Sequence, residues 1–147
     1  MILRRISMRV SVQHYWADKE TGDKLSNLDP SKIQIGFTND GWTEDKSAET
    51  TERNVFYYNS ILKKGQTSTD FTDKISISGD IAAIVGRTSQ TDGNGLTTIT
   101  TTYEYDGACF VLEATVDAVQ THNAKSAIKS AWGVDVNISD DGALSLE

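Results

Sequence analysis

Two histidines, one cysteine and a scatter of carboxylates are the residues of this chain whose types could do chemistry. His14 and His122 could bind a metal or move a proton, but zinc takes three or four convergent ligands, and neither histidine has partners at ligand spacing. The HExxH arrangement of helical zinc peptidases is missing. His14 stands between Val12 and Trp16 in an alternating run, which reads as a packed or edge histidine, and His122 falls in a loop. Cys109 is the only cysteine, so the chain has no internal disulfide and no Cys-rich metal site. Its setting, Ala108-Cys109-Phe110-Val111-Leu112, predicts a buried thiol packing as a small hydrophobe, since a nucleophile needs a base beside it.

The loops offer carboxylates without a ligand pattern. Asp92-Gly93-Asn94-Gly95 resembles the start of a calcium loop, but Leu96 takes the fifth position and no glutamate stands at the twelfth. A glycine-rich hairpin turn explains it better, and the same holds for Asp140-Asp141-Gly142. With 21 acidic residues, paired carboxylates are unavoidable and say nothing about hydrolysis. No glycine-rich phosphate cradle and no GxSxG elbow appears. The expectation is therefore a protein without catalytic residues, cofactor or resident metal. One candidate binding face remains: the aromatics Tyr15, Trp42, Tyr57 and Tyr58, exposed together, could grip a sugar or a protein.

Composition narrows the partners. A formal charge of −7 over 147 residues opposes nucleic-acid binding, which needs a basic face. Arg4, Arg5 and Arg9 cluster near the start, but a mixed surface follows them. No stretch approaches the roughly 18 apolar residues of a membrane span, so the chain is not expected to cross one. Met1-Ile2-Leu3-Arg4-Arg5 is too short for a secretory signal, which leaves a cytosolic protein or a mature form. The length suits one domain, residues 1–147, with a core of ordinary size.

The elements that must position these residues are mostly strands. Ile6, Met8, Val10, Val12, His14 and Trp16 alternate with polar residues, which predicts a long strand with one buried face. Ile33, Ile35 and Phe37 alternate up to an Asn39-Asp40-Gly41 turn, and Val55 to Tyr58 has the residue types of a pleated surface. Thr43 to Arg53 and Gly86 to Gly95 lack periodicity and read as loops. Ile81 to Val85 fits either a strand or a helical turn. Phe71 to Ile77 and Leu96 to Tyr105 read as further strands. Phe110, Leu112, Ala114, Val116 and Ala118 form the apolar face of another long strand, expected to be buried. Ala124, Ala127, Ile128, Ala131 and Trp132 recur at helical spacing, with Asn123 as expected N-cap and Gly133 as C′ residue. Val134, Val136 and Ile138 then turn at Asp140-Asp141-Gly142 into Leu144 and Leu146. The fold class that follows is all-β, an antiparallel β-sandwich with one short C-terminal helix.

Several of these segments also resemble a family. Met8-Arg9-Val10-Ser11-Val12 with Tyr15-Trp16 is similar to the RVRV…YW opening strand of the TasA/camelysin-like exported proteins of Gram-positive bacteria. Leu28-Asp29-Pro30-Ser31-Lys32-Ile33 resembles their LDPSLI element, and Thr38 to Trp42 their TNDGW turn. Phe56-Tyr57-Tyr58 with Ile61 to Thr67 resembles their YYY…PLKPGETT stretch. Gly107-Ala108, Ala118-Val119-Gln120 and Ala131-Trp132-Gly133 resemble the YQGA…AVQA…AWG pattern near their end. The likeness runs from about Met8 to Gly133.

The resemblance implies a jelly-roll-like sandwich, export through a dedicated signal peptidase, and a place on the cell surface or in a biofilm matrix, with some members polymerising. The metallopeptidase activity ascribed to camelysin does not carry over, because no zinc-ligand set stands in this sequence. Members also carry an export segment and a further strand ahead of the RVRV strand, and neither is present here. Lys64 stands where they tend to have proline. A sandwich short of one strand has an open sheet edge, so the expected function is a non-catalytic structural module that self-associates, or joins another surface or matrix protein, by strand addition. Ile2 to Val12 or Val134 to Leu146 would be the donor. The alternative is a ligand-binding adhesin domain that recognises a glycan or matrix protein through the four aromatics.

Overall fold

The computed structural model describes residues 5–82 and 84–147. The described residues form eleven strands, all paired antiparallel, and one α-helix. In order these are β1 (Arg5–Asp18), β2 (Ile33–Phe37), β3 (Trp42–Glu44), β4 (Arg53–Tyr58), β5 (Leu62–Lys63), β6 (Thr72–Ile77), β7 (Ile84–Thr91), β8 (Thr97–Tyr103), β9 (Ala108–Gln120), α1 (Ala124–Trp132), β10 (Val136–Ile138) and β11 (Leu144–Leu146). This is the all-β class with a short C-terminal helix that the alternating segments predict.

The central sheet runs β3-β4-β1-β5, with β9 along the other side of β1. β1 meets β4 from Arg9↔Tyr57 to Gln13↔Arg53, and meets β9 without a register shift from Ile6↔Gln120 to Asp18↔Ala108. One face of this sheet is covered by the β2–β6 ribbon: Val10, Val12, Trp42, Phe56 and Tyr58 pack with Ile35, Phe37 and Phe71. The other face is covered by α1 and the β10–β11 hairpin, which enclose Val55, Tyr57, Ile128, Val136 and Leu144. A third cluster at the far end joins Trp16, Leu28 and Ile33 to Tyr105. With layers on both sides, β4 buries Val55, Phe56, Tyr57 and Tyr58 in succession rather than alternately.

Local chemistry sets the turns. Asp18 accepts from the N–H groups of Glu20 and Thr21, and Asp29 caps the short turn Pro30–Lys32 through the N–H of Ser31. Gly41, at φ 76°, has Thr69 Oγ1 3.0 Å from where a Cβ would stand, so the turn before Trp42 needs glycine twice over. Asp92 accepts from the N–H groups of Asn94 and Leu96, which closes the β7–β8 hairpin, so the glycine-rich stretch is the hairpin turn that its sequence predicts.

Several expectations are corrected. Thr43 to Arg53 is not all exposed loop: Trp42–Glu44 pairs with β4, and Asp45 is buried while its carboxylate accepts from Ser47. Gly86 to Gly95 is mostly strand, because β7 finds its ladder in β8 with no buried face to imprint periodicity. Ile81 and Ala82 close a short helical turn, Gly79–Ala82, and β7 starts at Ile84, with Ala83 outside the described residues. Asn123 sits in the left-handed region at φ 58° and makes no side-chain cap, so it turns the chain into α1 instead of capping it. Cys109 is exposed, because its strand lies at the rim of the sheet and its side chain faces away from the β2–β6 layer. The apolar face of β9 is largely exposed too: it looks toward the β2–β6 side, but the strand lies at the rim of the sheet, where that layer gives little cover.

Candidate functional site

The part of this fold left unfinished is β9. Residues directly opposite in an antiparallel pair share a face, so Trp16↔Phe110, His14↔Leu112, Val12↔Ala114, Val10↔Val116 and Met8↔Ala118 all look toward the β2–β6 ribbon. On β1 that row is buried, with Val10 at 2% and Val12 at 0% exposure. Of the five β9 residues in that row only Leu112 packs against the core; Val116 is 60% exposed and Phe110 44%. Ile75 on β6 is exposed as well, and a shallow depression of about 410 Å³ runs along Ile6, Met8 and Leu62 to Ser68.

The backbone edge of β9 is open as well. Among the described residues, β9 pairs with β1 alone. Thr121 donates to the Arg5 carbonyl at 3.1 Å and Lys19 to that of Gly107 at 2.9 Å, at the two ends of the ladder. Those bonds set the alternation: odd-numbered residues of β9 bond β1, and even-numbered ones turn N–H and C=O outward. Phe110, Leu112, Ala114, Val116 and Ala118 therefore supply both the free backbone groups and the uncovered apolar face.

Other strand edges carry the usual protections against pairing with a stranger. β3, β10 and β11 are three residues long and β5 two. The β2–β6 ribbon is bulged at Gly36/Phe37 and carries Asp73 and Lys74, and β7–β8 is irregular at Ile84/Gly86. β9 is 13 residues long, unbulged against β1, and contains no proline, glycine, lysine or arginine. Of its two carboxylates, Asp117 is held by Arg9 at 2.7 Å, with the Arg9 guanidinium 5.3 Å from the Trp132 ring. Glu113 accepts from the Tyr15 hydroxyl at 3.5 Å.

The four candidate aromatics do not form a surface. Trp42 and Tyr58 are buried against each other beneath the β2–β6 ribbon, with ring centroids 4.9 Å apart. Tyr57, 1% exposed, lies on the opposite face against Trp132. Tyr15 alone stays partly open, with Lys24 over its ring. Their sequence context hid this because a strand covered on both faces has no wet side. The donor segments need the same correction. Arg5 to Val12 is occupied along β1 on both edges, and Ile2 to Arg4 lie outside the described residues. The tail folds onto its own sheet as β10–β11, with Val136 and Leu144 buried. What remains of the strand-addition idea is the receiving edge.

His14 lies at a pocket of about 270 Å³ with Ser31, Glu49, Thr50, Thr51 and Asn54. Its Nδ1 is buried without a hydrogen-bond partner among the described residues. Burial holds its imidazole below the usual value, against the opposing pull of the Glu52 carboxylate and a backbone hydrogen bond at Thr51. Among the described residues, no three His, Cys, Asp or Glu side chains gather as a metal would require, and no helix is long and apolar enough to cross a membrane. Comparison with protein-family models, curated proteins and solved structures finds no match.

Proposed function

We propose that this chain is a non-catalytic structural module of a cell surface or extracellular matrix that associates by strand addition at the β9 edge. The observation that carries the reading is the contrast among edges: short on the other strands of the central sheet, bulged and charged on the β2–β6 ribbon and threonine-lined on β8, but long, regular and apolar at β9. Strand addition binds by main-chain hydrogen bonds and takes its specificity from alternate side chains. In β9 those alternate side chains are the exposed Phe110, Ala114, Val116 and Ala118. The motif likeness to exported matrix proteins supports the compartment. The net charge of −7 suits a module whose partners are proteins rather than nucleic acid.

Light scattering across a concentration series, with electron microscopy of the most concentrated sample, tests the reading. Association that rises with concentration and is lost on replacing Leu112 by proline, which removes an outward N–H, is the expected result. A chain that stays monomeric throughout, alone and with matrix extract, rejects it.

A further inference from the structure

We infer that the β9 edge is built to receive a second copy of itself, in antiparallel two-fold pairing centred on Ala114. The inference rests on the reading of β9 as an assembly edge and adds the partner and the register.

Two copies can pair through this edge only if outward-pointing residues meet outward-pointing residues, so even-numbered positions must face even-numbered ones. Centring the pair on Ala114 satisfies this over the whole strand. Phe110 then faces the partner's Ala118, and Leu112 faces the partner's Val116. Large side chains meet smaller ones along the exposed apolar row, and the rows of both copies stay on the same side of one continuous sheet.

The charges select the same register. Centred on Ala114, Glu113 faces the partner's Thr115 and Asp117 faces the partner's Val111, so no carboxylate meets another. Sliding one strand by two residues in one direction sets Glu113 opposite its own copy, and in the other sets Glu113 opposite Asp117. Like charges directly opposite destabilise a sheet pair, so both neighbouring registers are penalised. Asp117 is already neutralised by Arg9 within its own chain. The remaining opposition is the net charge of −7 on each copy, which salt screens. A two-fold contact of this kind closes on itself as a dimer, so growth beyond it takes a different surface.

Cys109 reads out the register. In the Ala114-centred pair it faces the partner's Val119 at a non-hydrogen-bonded position, where Cα atoms lie about 4.5 Å apart, within disulfide reach. Val119→Cys should oxidise to a covalent dimer with two bridges, seen on a non-reducing gel and by intact mass. Asp117→Cys and Thr121→Cys, the partners of Cys109 in the slipped registers, should not. Ala114→Lys sets two ammonium groups against each other on the axis and should weaken dimerisation by up to about fivefold. Because Ala114 is exposed, its unfolding curve should stay unchanged. Should Asp117→Cys or Thr121→Cys cross-link in place of Val119→Cys, or Ala114→Lys associate normally, the symmetric pairing is overturned while the edge reading stands. A wild-type chain that never associates sinks the edge reading itself.

Discussion

Val10 and Val116 are the same residue type, on the same face of one sheet, directly opposite in register, yet one is 2% and the other 60% exposed. Truncating each to alanine therefore measures how far the second layer reaches. Val→Ala removes two carbons, about 1.6 kcal/mol of transfer free energy at roughly 0.8 per methylene. At Val10 the lining of Phe56 and Leu62 cannot fully collapse, and the cavity raises the cost to about 2–3 kcal/mol. At Val116 only the covered two-fifths of that transfer is lost, about 0.6 kcal/mol, and no cavity forms. Urea unfolding, followed by tryptophan fluorescence at concentrations where the chain is monomeric, gives both numbers from the shift in midpoint at constant slope. Val116→Ala should in addition weaken self-association, while Val10→Ala should leave it in step with the folded fraction. Equal losses for the two variants in the monomer would mean that β9 is covered like β1, and the open-edge argument would fail with it.

The other predictions concern what holds the sheet and its outer cover. α1 is too short to persist alone and is anchored by Ile128, at 0% exposure, so Ile128→Ala should cost about 2–4 kcal/mol. Trp132 emission should report the loosened helix, and a loss within experimental error of zero would show that the helix is held otherwise. Arg9 joins β1 to β9 through Asp117 and stacks on Trp132. A double-mutant cycle of Arg9→Met and Asp117→Asn should return about 1 kcal/mol of coupling, shrinking with salt; a coupling unchanged by salt would contradict the ion pair. Folding holds the His14 imidazole below its ordinary 6.5. The unfolded chain therefore takes up that proton first, and stability present above 6.5 is lost as pH falls through the folded value, by at most about 1.4 kcal/mol per pH unit. Midpoints compared on either side of 6.5 should show this slope flattened in His14→Gln, and an identical slope in both proteins would refute it.

Much of the fold is legible in the sequence because strands with one wet face write their burial as alternation, as in β1 and β2. Helix α1 is legible for the same reason at its own period. Where both faces share one environment the signal vanishes. β7 is exposed on both sides and reads as a loop; β4 is buried on both sides, and its tyrosines look like candidates for a binding face. β3 owes its pairing to β4, fourteen residues away at Thr43↔Tyr57, a separation that no local reading of the pattern spans. The pattern of β9 correctly groups Phe110 with Val116, but grouping is a property of the strand and coverage a property of the layer above it. For that reason the open edge of β9 is not visible in the sequence, and Cys109 is misread with it.

The exposure of β9 follows from the number of strands in each layer. Neighbouring strands stand about 4.8 Å apart, so β3, β4, β1 and β9 span roughly 14 Å across, whereas a ribbon of two strands spans about 5 Å plus its side chains. β2 and β6 lie over Val10, Val12 and Phe56, and their cover thins out over β9, where Leu112 still packs but Phe110 and Val116 are exposed. A third strand beside β6 would cover Phe110 and Val116, but the chain spends its next residues on β7 and β8, which among the described residues pair only with each other. The uncovered row is thus built into the connectivity, and no side-chain rearrangement within the described residues can hide it. A partner strand at the β9 edge would remove the unpaired backbone groups and narrow the apolar row at once, which is why we propose this edge, rather than a pocket, as the place where the molecule meets another.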